Sequence, residues 1–328
     1  MILVTGGAGY VGSHVVLACL DAGRQVAVLD DLSTGHADAV PDGVPFYWGD
    51  CGDTDLIARI WRERDIRFVV HLAARTVVPE SVADPLGYYA ANAGRTRALL
   101  SFLSRHRPDG LVFSSTAAVY GVPPAPLVDE TAPLRPVSPY GRSKLICEWM
   151  IEDAARAHGL RAIALRFFNV AGADPAGRAG QRTPGATHLL KRVCEVAAGR
   201  RPVLEICGTD YDTPDGTCIR DFIHVSDLAR AHLAALDLLG AGGTPETLNC
   251  GYGTGISVAQ AARAAGRITG RTLPVSHGPR RPGDVPAIVA DSSRLKRVLD
   301  WTPRHQGIEE ILGSALRYEM SLPGERAA

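Results

Sequence analysis

Tyr140 and Lys144 are the side chains of this sequence with the clearest capacity for acid–base chemistry. They lie four residues apart in Pro-Tyr-Gly-Arg-Ser-Lys, and residues at that spacing share one face of a helix. A free tyrosine titrates near pKa ~10, but a neighbouring ammonium favours the phenolate. Lowering the tyrosine pKa to about 7 takes roughly 4 kcal/mol of differential interaction. The spacing alone is weak evidence, because such pairs usually lie on a helix surface.

A glycine-rich turn near the N-terminus predicts a dinucleotide site close to this pair. Gly6, Gly9 and Gly12 follow an apolar strand over 2–4 and precede a helix expected over 13–22. Glycines in this position permit a tight turn and close approach of a pyrophosphate. The helix N-terminus adds N–H donors and a positive dipole. The turn therefore predicts a bound dinucleotide.

Acidic residues at the ends of the next strands indicate which dinucleotide is bound. Asp30 ends a strand predicted over 25–30. A carboxylate there accepts hydrogen bonds from the adenosine ribose and repels a 2′-phosphate. Asp31 adds negative charge, while Asp50 and Cys51 follow the next strand and are expected near the adenine. The sequence therefore favours NAD over NADP.

The order of strands and helices predicts an α/β protein built on a Rossmann-type, doubly wound parallel sheet. Further apolar strands are predicted over 68–72, 110–114 and 162–166, and helices over 54–63, 86–106, 140–158 and 187–199. Such alternation is typical of parallel strands with helices on both faces. After Asn169 the texture changes. We expect residues 1–168 and about 215–240 to form the large domain, and about 169–214 and 241–328 a smaller, interleaved α/β lobe.

Composition excludes several classes of partner. Lys plus Arg and Asp plus Glu each number 35, so the formal net charge is zero, and neither nucleic acid nor an anionic membrane is expected. The seven cysteines form no Cys-x-x-Cys pair, which favours a reduced chain without disulfides or a metal site. The N-terminus lacks a signal-peptide pattern, and no apolar run is long enough to span a membrane. We expect a soluble, cytoplasmic protein.

Eight motifs in order carry a family resemblance that extends from residue 2 to about residue 318. They are VTGGAGYVGSH, DDLSTGH, HLAA, SSTAAVYG, SPYGRSK, LRFFNVAGA, DGTCIRDFIHVSDLA and RRPGDVPAIVAD. With these motifs the chain resembles the extended short-chain dehydrogenase/reductase family and, within it, the UDP-glucose 4-epimerases. The resemblance implies an enzyme that holds NAD in the large domain and a UDP-sugar in the smaller lobe.

The resemblance also gives roles to matching residues. Tyr140 would be the catalytic base and acid, Lys144 would bind the nicotinamide ribose and lower the Tyr140 pKa, and Thr116 would bond the substrate oxygen. The implied cofactor-binding residues are Gly6, Gly9, Tyr10, Val11, Gly12, Asp30, Asp31, Thr34, Gly35, Asp50, Cys51, Leu72, Ala73, Ala74, Arg75, Asn92, Ser114, Tyr140, Lys144 and Phe167. The implied substrate-binding residues are Thr116, Tyr140, Asn169, Thr187, His188, Leu189, Arg220, Arg281 and Asp284.

Three positions depart from the family pattern or leave it open. Arg75 and Thr76 stand where the family often carries a Lys, so the cofactor contact of Arg75 is open. The Gly of an Asn-x-x-Gly-Thr helix motif is replaced by Arg95, although Asn92 is retained. Ile288 occupies the position that limits room beside the sugar C2 substituent, and it does not decide whether N-acetylated sugars enter.

The implied reaction is reversible C4 epimerisation of a UDP-hexose through a 4-keto sugar, with UDP-galactose and UDP-glucose as the leading pair. UDP-N-acetylhexosamines, UDP-pentoses and UDP-glucuronate stay open as substrates. A dehydratase is disfavoured because Thr116 is followed by Ala117 and Ala118, where dehydratases carry Asp-Glu. A non-catalytic NAD-binding sensor is disfavoured because Tyr140 and Lys144 are both intact.

The resemblance further implies a homodimer formed through the helical segments 88–106 and 140–157. The large apolar residues of these segments belong either to such an interface or to the core, and the sequence leaves both interpretations open. They are Leu99, Leu100, Leu103, Leu145, Trp149 and Met150.

Overall fold

The computed structural model describes residues 1–183, 185–281 and 284–323. Its strands are β1 (Ile2–Thr5), β2 (Val26–Asp30), β3 (Phe46–Trp48), β4 (Phe68–His71), β5 (Gly110–Thr116), β6 (Leu127–Val128), β7 (Ala162–Phe167), β8 (Asn169–Ala171), β9 (Leu204–Cys207), β10 (Ile219–His224), β11 (Glu246–Cys250), β12 (Gly255–Ser257), β13 (Val275–Gly278) and β14 (Ala287–Ala290). Its α-helices are α1 (Tyr10–Asp21), α2 (Thr54–Glu63), α3 (Val78–Ala83), α4 (Pro85–Tyr88), α5 (Arg95–His106), α6 (Pro139–His158), α7 (Leu189–Ala197), α8 (Val225–Gly240), α9 (Val258–Thr269), α10 (Ser293–Leu299) and α11 (Ile308–Ser321). Short 3₁₀ turns cover Ala37–Ala39 and Ala117–Val119, and a π-helical turn covers Tyr89–Gly94.

A parallel sheet dominates the described part of the chain. It has seven strands in the order β11-β7-β5-β4-β1-β2-β3, and every neighbouring pair is parallel. The chain runs outward from β1 to β3 and then returns to β4 on the other side of β1. Ligands of such sheets bind at this reversal, at the carboxyl ends of the strands. The predicted Rossmann-type α/β class is confirmed.

Helices cover both faces of this sheet. Side chains alternate along β1, so that Ile2 and Val4 join one buried cluster with α1 and α8. Leu3 joins the other cluster, with α2, α5 and α6. Because both faces are buried, the strands are continuously apolar. The polar residues that end them therefore gather at the carboxyl edge of the sheet.

A second lobe is built around a smaller sheet in the order β12-β10-β14-β6, with β8 paired to β10. Helices α7, α9 and α11 share one buried cluster there. Three strands cross the boundary drawn from the sequence. Strand β11, from the segment 241–328, extends the large sheet, whereas β6, from the segment 1–168, and β10, from the segment 215–240, join the small one. Strand pairing depends on distant backbone partners, which local patterns do not identify.

Element boundaries agree with the sequence prediction in most places, but α1 begins at Tyr10 rather than at residue 13, and two further elements differ. The helix predicted over 86–106 is divided into α4, a π-helical turn and α5. The π-helical turn places the Asn92 side chain against the loop after β4. The strand predicted over 110–114 continues to Thr116. Among the described helices, none has both the length and the apolar character needed to cross a membrane.

Candidate active site

The glycine-rich turn is packed so closely that it admits no side chains at two positions. Gly6 has φ 75°, and a Cβ added to it would lie 2.6 Å from the Ala73 nitrogen. A Cβ on Gly12 would lie 2.0 Å from the Gly6 carbonyl oxygen. Helix α1 begins at Tyr10, and its cap residue, Gly9, offers no side-chain hydrogen bond. The first amides of α1 are therefore available to an anion such as a pyrophosphate.

Replacing Gly12 by alanine is expected to weaken NAD binding by at least about tenfold, or about 1.4 kcal/mol. The added methyl group meets the Gly6 carbonyl oxygen at 2.0 Å, so the turn must open and its amides move. The NAD content of purified protein and NAD exchange measured by mass spectrometry are the readouts. Gly313→Ala is the matched control, since its nearest neighbour would be Arg317 Nη1 at 3.5 Å. Equal NAD retention in both variants would contradict the expectation.

Asp30, at the end of β2, supports the glycine-rich turn. Its carboxylate accepts hydrogen bonds from the Ala8 amide at 2.9 Å and the Leu32 amide at 2.8 Å. Burial raises the pKa of Asp30, and these hydrogen bonds act in the opposite direction. The hydrogen bond from Ala8 therefore holds the glycine-rich turn against the end of β2. One residue further on, Asp31 lies 3.2 Å from the Arg95 guanidinium.

Asn92 ties the loop after β4 to helix α6. Its side chain accepts a hydrogen bond from the Arg75 amide at 2.8 Å and donates to the Arg75 carbonyl and to Ser143 Oγ, both at 3.0 Å. The Arg75 guanidinium instead bonds Asp84 at 2.8 Å and lies over the Tyr88 ring. The side chain of Arg75 is thus held by the α3–α4 region, and its backbone faces Asn92. The position of the Arg75 side chain, which the sequence left open, is therefore beside Asp84 and Tyr88.

Thr116, Tyr140 and Lys144 converge at the end of β5. Thr116 is the last residue of that strand, and Tyr140 lies in the first turn of α6, which Ser138 caps through the Gly141 amide. The Thr116 hydroxyl lies close enough to the Tyr140 phenol to lower its pKa. One turn further along α6, Lys144 is buried, and its Nζ donates to the Ser114 carbonyl oxygen at 2.8 Å. The four-residue spacing therefore brings the expected group of three together.

The charge state of this group differs from the sequence expectation. Burial raises the pKa of Tyr140, and the Thr116 hydroxyl lowers it without reversing the direction. Desolvation lowers the pKa of Lys144 to about 8. Lys144 does not bring the Tyr140 pKa below its ordinary value here, because burial of the phenol dominates. The protein groups alone thus hold a neutral phenol beside a cation whose own pKa is lowered.

A buried ion pair that was not predicted from the sequence lies one turn beyond Lys144. Glu148 Oε2 lies 2.7 Å from Arg166 Nη2, and both side chains are less than one-tenth exposed. Arg166 also donates to the Tyr120 hydroxyl at 2.9 Å, and Ser115 donates to Glu148. This network joins α6 to β5 and β7 directly below the catalytic candidates. The repeated spacing of four, from Tyr140 through Lys144 to Glu148, was the available signal.

Several expected substrate residues line an open cavity next to the glycine-rich turn. Asn169 begins β8, and His188 and Leu189 cap and begin α7. All three line the same cavity as Tyr10. The Tyr10 hydroxyl donates to the Gly172 carbonyl at 2.7 Å, which connects the turn to the second lobe. Thr187 directly precedes this group in the chain.

The remaining expected substrate residues are Arg220, on β10, and Arg281 and Asp284, in the segment before β14. Arg220 Nη2 lies 3.4 Å from Asp284 Oδ1, and its Nη1 donates to the Val285 carbonyl at 2.8 Å. The Asp284 amide donates to the Arg281 carbonyl at 3.2 Å. These three residues therefore form one group on the second lobe. Pro282 and Gly283, which belong to the same motif, lie outside the described residues.

The loop over 173–183 crosses from the second lobe to the glycine-rich turn. Arg178 binds both oxygens of Asp21 at 2.8 Å, and Arg182 binds both oxygens of Asp38 at 2.8 Å. The loop lines an opening beside Gly9, which it shares with Thr34. The partners of both arginines lie more than a hundred residues away in the chain, so local sequence patterns do not identify them.

Comparison with known proteins gives a family and several relatives. The model described as "NAD dependent epimerase/dehydratase family" matches residues 2–251. A UDP-glucose 4-epimerase of Azospirillum brasilense is 52% identical over 98% of this chain and 92% of its own length. The crystal structure of UDP-glucose 4-epimerase from Brucella ovis in complex with NAD has a TM-score of 0.94 at 42% identity, and covers 97% of this chain and 98% of its own. The Bifidobacterium longum enzyme in complex with NAD⁺ and UDP has a TM-score of 0.92 at 34% identity, and covers 97% of both chains.

Proposed function

The chain belongs to the NAD dependent epimerase/dehydratase family, and we propose that Tyr140 is the acid–base residue with which it epimerises C4 of a UDP-hexose. The enzyme is an NAD-dependent UDP-glucose 4-epimerase in type, and the reaction passes reversibly through a 4-keto sugar. UDP-galactose and UDP-glucose are the proposed pair, and other UDP-sugars are the alternative. The observation that carries the role of Tyr140 is its position in the first turn of α6, beside Thr116 at the end of β5 and one turn before the buried Lys144.

The residues at the edge of the large sheet fit NAD. Added Cβ atoms on Gly6 and Gly12 would overlap the backbone of Ala73 and of Gly6 itself, so only glycine allows the tight turn that leaves the α1 N-terminus open to a pyrophosphate. Asp30, at the end of β2, is the proposed ribose ligand and disfavours a 2′-phosphate. When bound, NAD supplies the acceptor and donor of the C4 hydride. We propose that the lobe built on the large sheet holds this cofactor.

Tyr140 takes the proton of the C4 hydroxyl when the sugar is oxidised and returns it when the keto group is reduced. Thr116 bonds both the phenol and the substrate oxygen, which relays the proton over a fixed path. Lys144, held by its hydrogen bond to the Ser114 carbonyl, is the proposed ligand of the nicotinamide ribose. Ala117 and Ala118 follow Thr116 and carry no carboxylate, so no protein acid is provided there for the loss of water.

Binding energy is divided between the nucleotide and the sugar. Arg220 and Arg281 are the proposed ligands of the UDP diphosphate, since guanidinium groups bond phosphates in a bidentate manner. Asn169, His188 and Leu189 are the proposed contacts to the rest of the nucleotide. Epimerisation requires the keto sugar to present its other face, so a firmly held nucleotide and a loosely held sugar suit the reaction.

The proposed oligomer is a homodimer, and the proposed location is the cytoplasm. Of the apolar residues in the two expected interface helices, Leu99, Leu100, Leu103 and Leu145 are buried in the core. Trp149 on α6 is 54% exposed, and Leu86 on α4 is 78% exposed. Exposed large apolar residues on neighbouring helices support an interface between two copies. The cysteines are all free, which supports a reducing compartment.

Conversion of UDP-galactose to UDP-glucose without added NAD tests the function. Purified protein that carries its own cofactor is expected to bring either sugar nucleotide to the same equilibrium mixture, because the cofactor is regenerated in each cycle. Chromatography of the sugar nucleotides measures the conversion. A folded, NAD-loaded sample that converts no UDP-hexose in a panel would overturn the proposal. Loss of 18 mass units, about one water per sugar nucleotide, would instead indicate a dehydratase.

A further inference from the structure

Arg95 joins two carboxylates at the edge of the large sheet. Its Nη1 lies 3.2 Å from Asp31 Oδ2, and its Nε lies 2.8 Å from Asp50 Oδ2. Arg95 is the first residue of α5, directly after the π-helical turn. It stands where the family motif described above has glycine. The replacement of glycine by arginine therefore has a structural consequence, because the arginine side chain contacts two residues of the expected cofactor site.

Both carboxylates lie beside the proposed adenosine site. Asp31 follows β2 and Asp50 follows β3 by two residues, and these strands pair directly, with Asp30 opposite Trp48. Their carboxyl ends lie next to Asp30, the proposed ribose ligand. The Asp50 carboxylate also accepts a hydrogen bond from the Gly52 amide at 2.7 Å. Asp50 is therefore held from two sides, by its own loop and by Arg95.

The loop after β3 also packs on the Arg95 side chain. A Cβ added to Gly52 would lie 3.1 Å from Arg95 Cγ, so the loop backbone is in close contact with the aliphatic part of the arginine. Burial opposes ionisation of Asp31, but hydrogen bonds from Ser33 and the Arg95 charge lower its pKa. Adjacent strands lie only about 4.8 Å apart, and two carboxylates at their ends repel each other. The guanidinium between them removes this repulsion and fixes their separation.

We propose that Arg95 is a positioning residue for the adenosine half of the cofactor. The inference rests on the proposed NAD-dependent function. Arg95 holds the ends of β2 and β3 at the spacing that the ribose and adenine require, and it does so through Asp31 and Asp50 rather than by contact with the reacting atoms. Its planar guanidinium serves two carboxylates at once, which an ammonium does less well.

Exchange of bound NAD tests this role in the holoenzyme. Wild-type and variant proteins are mixed with an excess of isotopically labelled NAD, and the bound cofactor is followed by mass spectrometry. Arg95→Ala is expected to exchange about five- to tenfold faster, in line with the loss of two partly exposed charge-assisted contacts. Arg95→Lys is expected to restore part of the difference. Arg97→Ala removes an exposed arginine of the same helix that forms no ion pair among the described residues, and it should exchange like wild type.

Two further measurements separate positioning from general structural damage. The dissociation constant of UDP and the KM for the UDP-hexose are expected to stay unchanged in Arg95→Ala. In an Asp31→Asn/Asp50→Asn background, Arg95→Ala should no longer speed exchange, because its partners are gone. Wild-type exchange rates in Arg95→Ala, or an equal weakening of UDP, would overturn the inference while epimerase activity stands. Absence of NAD from the active wild-type protein would overturn the proposed function itself.

Discussion

Replacing Tyr140 by phenylalanine is expected to lower kcat by about a thousandfold or more, within the range of general acid–base catalysis. The same hydroxyl takes the proton in one half of the reaction and returns it in the other, so its loss affects both directions. Thr116, which lies beside Tyr140, keeps a hydroxyl near the substrate but lacks an acid–base group of suitable pKa. Initial rates with UDP-galactose and with UDP-glucose measure the effect.

Ligand binding distinguishes this loss from a disturbed fold. The phenylalanine variant is expected to retain NAD and to bind UDP with unchanged affinity, because neither the glycine-rich turn nor Arg220 depends on the phenol. Tyr47→Phe is the matched control. It removes a phenol that donates to Glu63 at 2.8 Å in the β3–α2 region, and it should keep full activity. Turnover at the wild-type rate in Tyr140→Phe would refute the assigned base.

The pH dependence of kcat/KM gives a second test of the same residue. Burial raises the pKa of Tyr140 in the protein without ligands, so the phenolate fraction grows as the pH rises toward that pKa. In wild type, kcat/KM is therefore expected to increase with pH through the neutral and mildly alkaline range. The residual rate of Tyr140→Phe should lack this increase.

Local features of the sequence were sufficient to predict which residues lie together at the centre of the candidate site. The glycine-rich turn joins consecutive elements, and its function depends on backbone geometry that only glycine allows. Tyr140 and Lys144 lie within one helix, where a spacing of four fixes their common face. Thr116 ends strand β5, which is joined to this helix by the hydrogen bond from Lys144 to the Ser114 carbonyl. In each case the informative residues are close in sequence or are positioned by the parallel sheet.

The parts that were not predicted depend on partners distant in the chain. Arg178 binds Asp21 across 157 positions and Arg182 binds Asp38 across 144, and the sequence shows only two arginines in a loop. The role of Arg95 depends on the ends of two strands that fold beside it. Its replacement of glycine was visible in the sequence, but its partners were not. The direction in which the Tyr140 pKa is shifted could not be predicted either, because it depends on how deeply the fold buries the phenol.

Replacing Glu148 by glutamine is expected to lower the free energy of unfolding by about 3 kcal/mol, the lower end for a broken buried ion pair. Glutamine has nearly the same shape, but it leaves the Arg166 guanidinium buried without a counter-charge. Desolvation would lower the pKa of Arg166, and its hydrogen bonds and ion pair with Glu148 raise it instead. A guanidinium stays protonated in proteins even without a counter-charge, so the variant has to accommodate a buried cation. Urea denaturation followed by circular dichroism measures the loss.

Glu152→Gln is the matched control on the same helix, one turn further on. Its partner, Arg156, is 71% exposed and Glu152 itself 56% exposed, so this change should cost less than about 1 kcal/mol. The double variant Glu148→Gln/Arg166→Met should recover part of the lost stability, because removing the second charge relieves the uncompensated burial. Because Glu148 also accepts a hydrogen bond from Ser115, next to Thr116, the single variant should also lower kcat while NAD stays bound. Equal stabilities for the Glu148 and Glu152 variants would show that the Glu148–Arg166 pair does not hold α6 against β7.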